Sequence, residues 1–324
     1  MMREMPHEAC GVFGITGNPE ASVLTYLGLY ALQHRGQETA GIAAWNAGRM
    51  RTFTGEGLVA DVFDRGALEQ LPGEHAIGHV RYSTTGASQL SNAQPIVANY
   101  RGGWLALAHN GNLTNADELK LELEERGAIF QTTTDTELLI HLVAQSATHD
   151  FYEALKISLM RLRGAYSFVI QKDDQLIAVR DPRGFRPLCL GRLGEAWCVA
   201  SETCAFDMIN AKYVRDVEPG EILILSKEGA KSLKPFPAME RTSCIFELIY
   251  YSRPDSQQEG RGIYTIREEL GRQLAREHPA QADVVIAVPD SSNVAALGYA
   301  KESGIALGQG LIRSHYVGRT FIEP

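Results

Sequence analysis

The sequence predicts an α+β domain followed by the opening part of an α/β domain. Three observations carry this. Short apolar runs that end in polar clusters alternate with helical segments up to about Leu225. Residues 165–180 read as a hairpin, AYSFVIQ and QLIAVR around Lys172-Asp173-Asp174. Beyond Arg241 a continuous apolar run, ADVVIAV (282–288), leads through Pro289-Asp290-Ser291-Ser292-Asn293 into a helix over 294–301. That is the strand–loop–helix unit of an α/β sheet.

Taken in order, CGVFGIT (10–16) reads as a buried strand. Asn18-Pro19 reads as a helix start, with Asn as N-cap and Pro at the first helical position. Leu24, Leu27, Ala31 and Leu32 then put an apolar stripe on one helix face. AIGHVR (76–81) and WLALA (104–108) read as strands that end in the clusters Arg81-Tyr82-Ser83-Thr84-Thr85 and His109-Asn110-Gly111-Asn112. Asn115 with Glu118 resembles a capping box for a helix ending at Gly127. Further helices are expected over 137–147, 152–162 and 263–277. The stretch 227–241, with its lysines and prolines, reads as a surface connection.

The 324 residues suit one large domain or two ordinary ones. Hydrophobic content of 44% and charged content of 22% are normal for a globular protein. A net charge of −8 argues against nucleic acid as a partner, because such binders usually carry a basic stripe. The five cysteines, Cys10, Cys189, Cys198, Cys204 and Cys244, form no C-x-x-C pair, so a closed zinc site is not signalled. Met1–Ala9 is polar and does not resemble a secretory signal. No apolar stretch approaches the ~20 residues that span a bilayer. A cytoplasmic protein with reduced thiols and no membrane partner is the expectation.

Several residues carry chemistry. A lone cysteine such as Cys10 is usually a small buried hydrophobe, and a thiol reacts only as its thiolate. If the Ala9–Cys10 bond were cut, the new α-amine, with a reference pKa of ~7.7–8.0, could serve as base for its own side chain. His109-Asn110-Gly111-Asn112 suits a tight turn; it also suits an oxyanion hole, in which an Asn amide and a Gly backbone N–H converge on one oxygen. Arg81 offers a planar fork for a carboxylate, and Asp135 could take an ammonium; either could equally be an ordinary ion pair. Pro289-Asp290-Ser291-Ser292 opens a helix whose free N–H groups suit a pyrophosphate.

The segments CGVFGI (10–15), LQHRGQETAGI (32–42), GHVRYSTTG (78–86), HNGNLTN (109–115) and TTTDTE (132–137) together resemble the class II glutamine amidotransferases, in family order and spacing. Their catalytic domain is an N-terminal-nucleophile hydrolase sandwich (αββα). Within the class, GHVRYSTTG, RDPRGFRPL (180–188), CIFELIYYSRPDS (244–256), VPDSSNVAALGYA (288–300) and HYVGRTFIEP (315–324) are similar to the amidophosphoribosyltransferase family. The resemblance implies a propeptide over 1–9, a glutaminase domain over 10–235 and the first part of a type I phosphoribosyltransferase domain over 236–324. It makes Cys10 the nucleophile, Asn110 and Gly111 the oxyanion hole, Arg81 the partner of the glutamine α-carboxylate and Asp135 that of its α-amine. Arg35 belongs to the glutamine-site loop and Thr84 lies beside the same pocket.

The implied reaction passes ammonia from glutamine to phosphoribosyl pyrophosphate in purine synthesis, giving phosphoribosylamine. Asp290, Ser291 and Ser292 match the pyrophosphate loop, and Ser291 a serine associated with Mg2+. Many members bind a [4Fe–4S] cluster; Cys244 matches one ligand, although relatives without a cluster can also carry a cysteine there. Cys189, Cys198 and Cys204 match no ligand and read as packing residues. The Asp-Asp-Ser and Gly-Thr-Thr type signature that holds the ribose phosphate has no match, so the chain is expected to be C-terminally truncated, with only its glutaminase half intact. Purine nucleotides as feedback inhibitors and a homo-tetramer follow from the resemblance. Two other readings stand beside it: a glutaminase serving another amidotransfer reaction, and a non-catalytic remnant.

Overall fold

Six consecutive buried residues, Gly11–Thr16, form the strand on which the first part of the protein is built. The structure is a computed structural model and describes residues 10–82 and 90–314. It divides into two units, one reaching to Ser243 and one beginning at Cys244. The first unit runs β1 (Gly11–Thr16), α1 (Ala21–Ala31), β2 (Thr39–Asn46), β3 (Arg49–Glu56), α2 (Val59–Val62), α3 (Arg65–Glu69), β4 (His75–Arg81), β5 (Ile96–Tyr100) and β6 (Gly103–Leu113). It continues with α4 (Ala116–Glu125), α5 (Thr136–Ala144), α6 (Phe151–Leu159), β7 (Gly164–Lys172), β8 (Gln175–Arg180), β9 (Cys189–Leu193), β10 (Ala196–Ala200), α7 (Cys204–Met208), β11 (Lys212–Asp216), β12 (Ile222–Ser226) and β13 (Gly229–Leu233).

These strands make two antiparallel sheets, in the orders β11-β9-β10-β1-β4-β2-β3 and β13-β12-β8-β7-β6-β5. Alternation sends each strand's side chains to two faces. Val12, Ala43, Ile77, Ala106, Ala108, Val169, Ala178 and Leu223 meet between the sheets. Phe13, Ile15, Ile42 and Val80 face α1, α2, α3 and α7 on one outer side. Leu107, Phe168, Ile170 and Val179 face α4, α5 and α6 on the other. The result is the expected αββα sandwich, with small alanines at its centre letting the sheets close on one another.

The second unit contains β14 (Gln257–Gln258), β15 (Arg261–Gly262), α8 (Ile263–Glu277), β16 (Val285–Ile286), α9 (Asn293–Ser303) and β17 (Leu307–Gly308). Its two helices cross closely because Gly271 meets the backbone of Ala295 and Gly298 meets that of Glu268.

Several sequence expectations shift. WLALA continues as β6 through His109-Asn110-Gly111-Asn112, because β7 supplies a ladder as far as Leu113↔Gly164. The Asn-Gly pair is therefore inside a strand and makes no turn. The first helix begins at Ala21, after Asn18-Pro19. The Asn18 side chain accepts from Glu20 N (2.9 Å), and the bridge Glu20↔Gly73 holds that backbone out of the helix. Asn115 makes no capping bond; its side chain instead joins Arg161 O (3.0 Å) and Arg163 N (2.9 Å). Part of 227–241 pairs as β13 against β12. The apolar run 282–288 pairs only at Val285–Ile286, with β17 as its one partner among the described residues.

The segment RDPRGFRPL folds around two buried charges. Arg180 donates to the carbonyls of Arg186 (2.8 Å), Val217 (2.9 Å) and Gly184 (2.8 Å). Asp181 accepts from Arg183 N (2.9 Å) and Phe185 N (3.0 Å). Arg180→Met keeps the side-chain bulk and orphans those carbonyls, each at a cost of roughly 1–3 kcal/mol. We expect urea unfolding to show a loss of about 3 kcal/mol or more of stability. Fluorescence of Trp45, Trp104 and Trp197 will follow the first unit, which holds all three tryptophans.

Candidate active site

The residues that matter converge where β1 begins. Gly11 pairs with Val80 of β4, and Phe13 with Ala200 of β10, so β1 is held on both edges. Ser201 adds two bonds to Val12: its hydroxyl oxygen accepts from Val12 N–H (3.0 Å), and its own N–H donates to Val12 O (3.0 Å). Cys10, just before the strand, is 4% exposed. Its carbonyl accepts from Arg35 Nε (3.1 Å), and Arg35 Nη1 pairs with Glu202 Oε1 at 2.5 Å. Glu202 also takes His34 Nε2 at 2.7 Å. Arg35 therefore braces the nucleophile candidate from behind.

Cys10, Arg81 and Asp135 line one cavity of about 210 Å³, with Gln94, Asn112, Lys120, Thr133 and Thr134 among the other walls. That volume suits a single amino acid. Arg81 is 7% exposed, and its Nη1 has no hydrogen-bond partner among the described residues. A buried guanidinium nitrogen without an acceptor is costly, and a bound carboxylate would satisfy it. Asp135 stands opposite in charge at the start of α5. Its Oδ2 accepts from Leu113 N (2.7 Å) and its Oδ1 lies 3.3 Å from His109 Nδ1, which fixes the carboxylate.

Asn110 and Gly111 sit on β6 beside the lining residue Asn112. By alternation Asn110 shares the inner face of β6 with Ala106 and Ala108. It is fully buried, and neither its amide nitrogen nor its oxygen has a partner among the described residues. Buried side-chain amides are normally satisfied, which makes this one an exception. Gly111 has φ 153°, and a Cβ there would lie 2.1 Å from Ala165 O. Only glycine fits.

His79, on the inner face of β4, donates from Nε2 to His109 O at 3.0 Å. Nδ1 is then an acceptor without a partner among the described residues. Burial is the main force lowering its pKa, the Arg81 and His109 charges add to it, and the bond to His109 opposes; the outcome is about 3. The ring is neutral throughout the physiological range.

Thr84 and the leader Met1–Ala9 lie outside the described residues. Asp290, Ser291 and Ser292 belong to the second unit. Asp290 lines a separate cavity of about 520 Å³ and pairs with Arg313 Nη1 at 3.0 Å. The Ser292 hydroxyl donates to Val288 O. Asp290 and Ser291 carry oxygen donors of the kind a hard cation such as magnesium takes, with the Asp290 carboxylate here engaged by Arg313. A [4Fe–4S] cluster is held by four thiolates, to which this stretch of chain would contribute Cys244. No cluster of three or more metal-ligating side chains occurs among the described residues. Nor is any of their helices long and apolar enough to cross a membrane. Cys189, Cys198 and Cys204 are buried packing residues. Burial drives the Cys189 thiol pKa well up and that of Cys198 to about 12.

With this geometry in place, comparison with known proteins is direct. The model of the glutamine amidotransferase domain family matches residues 79–208. Amidophosphoribosyltransferase from Bacillus subtilis is 50% identical over 98% of this chain and 67% of its own length. The chain belongs to the amidophosphoribosyltransferase family. Amidophosphoribosyltransferase 1, chloroplastic, from Arabidopsis thaliana is 56% identical over 99% of this chain, which spans 57% of that relative's length. The solved structure of the glutamine phosphoribosylpyrophosphate amidotransferase from B. subtilis complexed with ADP and GMP superimposes with a TM-score of 0.91 at 50% identity, covering 97% of this chain and 69% of that one.

Sequence reasoning singled out Cys10, Arg81 and Asp135, which meet at the cavity, but missed Gln94, Asn112, Lys120, Thr133 and Thr134. Asn112, Thr133 and Thr134 lay inside quoted motifs. Gln94 and Lys120 carried no local signal.

The neutral His79 has a stability consequence. The unfolded ring takes up a proton near pH 6.5, whereas the folded one resists until about pH 3. Between those values the unfolded state binds more protons, so stability falls as pH falls. In urea titrations at pH 7.5 and 4.5, His79→Gln should lose less stability on acidification than wild type.

Proposed function

We propose that the first unit is a glutaminase with Cys10 as its nucleophile, freed by removal of Met1–Ala9, in a domain extending to about residue 235. The observation that carries this is one amino-acid-sized cavity bounded by Cys10, a buried Arg81 nitrogen without a partner among the described residues, and the anchored Asp135 carboxylate. Arg81 takes the α-carboxylate of glutamine and Asp135 its α-ammonium, which leaves the side-chain amide directed at Cys10. The α-amine of Cys10 removes the thiol proton. The thiolate forms a C–S bond to the amide carbon, and the oxyanion is held by the Asn110 amide and the Gly111 N–H. The C–N bond breaks, the nitrogen leaves as ammonia with the transferred proton, and water hydrolyses the thioester to glutamate.

Family membership supports the wider reaction. Ammonia displaces pyrophosphate from phosphoribosyl pyrophosphate to give 5-phosphoribosylamine, the committing step of purine synthesis. Residues 236–324 contribute the Asp290-Ser291-Ser292 pyrophosphate loop, where Mg2+ would screen the phosphate charge. Identity across the whole chain favours this over a glutaminase for another transfer reaction or an inert remnant. The relative solved with ADP and GMP supports purine nucleotides as inhibitors here. All five cysteines are free thiols, which suits a reducing compartment such as the cytoplasm. The tetramer and a cluster using Cys244 rest on the family resemblance.

The test is mass spectrometry before and after incubation with 6-diazo-5-oxo-norleucine. We expect a chain that begins at Cys10 and a single adduct on that residue, absent in Cys10→Ser. An unmodified chain that retains its leader and releases no glutamate from glutamine would refute the glutaminase.

A further inference from the structure

The cavity wall formed by the loop 131–134 is solvent-facing, yet it is held from two sides by buried side chains that touch no part of the cavity themselves. On one side is Glu137, 5% exposed, on the first turn of α5. Its carboxylate turns back along the chain. It accepts from Gln131 N at 2.9 and 3.2 Å and from Thr132 N at 2.8 Å, and it lies 3.3 Å from His141 Nε2. On the other side is Asn92, 1% exposed. It makes a reciprocal pair with Thr133, donating to its Oγ1 (2.8 Å) and accepting from its N–H (2.9 Å). Within the loop, the Thr132 and Thr134 hydroxyls meet at 3.1 Å. The loop then runs directly into Asp135, whose own carboxylate is tied to Leu113 and His109.

A loop of small polar residues on a surface ordinarily samples several conformations. Here successive backbone N–H groups are taken up by two side chains anchored in different elements. Thr133 and Thr134 therefore present fixed faces to the cavity, and Asp135 is delivered at a set angle. We infer that Glu137 and Asn92 are positioning residues that set the affinity of the cavity for a free amino acid by preorganising the wall 131–134. This rests on the glutaminase reading above. The charge on Glu137 is part of the device: burial works to raise its pKa, but the bonds from His141, Gln131 and Thr132 outweigh it and hold it at about 2. The acceptor is thus a carboxylate at every working pH. An amide would replace one of its two oxygens with a donor that faces other donors.

The experiment compares wild type, Glu137→Gln and Asn92→Ala by the concentration dependence of inactivation with 6-diazo-5-oxo-norleucine, alongside thermal melting. For both variants KI should rise roughly tenfold, the scale of one lost hydrogen-bonded anchor, while kinact stays within about twofold of wild type. A general loosening of the fold would lower kinact and the melting temperature together and would not produce that split. Unchanged KI in folded variants, or a fall confined to kinact, overturns the inference and leaves the glutaminase standing. Unfolding of Glu137→Gln would assign Glu137 to the fold and overturn its part; Asn92→Ala then reads the wall alone. Failure of wild type to react at all overturns both.

Discussion

Everything at the site depends on the start of β1 being pinned in three directions. Its two edges are paired with β10 and β4, and the carbonyl of Cys10 is held by Arg35. A strand end is ordinarily the part of a sheet most prone to fray. Here the ladder is supplemented by Ser201 on Val12 and by a guanidinium whose own position is set by the buried Glu202. Glu202 follows β10 directly, so the neighbour that pairs with β1 also supplies the anion that orients its brace. That arrangement fixes the backbone of Cys10, a residue only 4% exposed.

The second sheet supplies those groups through β6. Because that strand carries its pairing through to Leu113, Asn110 and Gly111 have the precision of a strand interior and not the latitude of a turn. The price is local: a glycine that no other residue can replace, and a buried amide left without a partner among the described residues. Asp135 is tied back to the same strand through Leu113 N, so the expected ammonium partner and oxyanion donors share one rigid support. Charges that the fold has already oriented limit the reorganisation that any binding there would require.

The second unit shows the same chemistry of anchoring at lower density. Arg267 donates to Leu248 O and Ser252 O, both at 2.7 Å, and joins α8 to the segment before it. Its short parallel pair, β16 with β17, has Val284, Ile286 and Leu307 about half exposed. A run as apolar as 282–288 reads as a strand buried on both faces. Among the described residues it finds one neighbour, which is why only two of its residues pair.

The layering was legible from sequence because alternation and apolar runs are local properties: β1, the β7–β8 hairpin and α8 appear where their patterns put them. Cys10, Arg81 and Asp135 were singled out through the family motifs that contain them, and the fold brings the three to one cavity. The fate of Asn110-Gly111 was not legible. A local rule favours a turn there, and only the distant strand β7, whose pairing continues past Asn112, makes the pair extended. Gln94, Asn92 and Glu137 escaped for a related reason. Each acts by holding something else: His109 N for Gln94, and the loop 131–134 for the other two. Sequence determined which side chains could bind and attack. Tertiary structure alone decided which ones hold them still, because that work is done by hydrogen bonds between elements that sequence separation conceals.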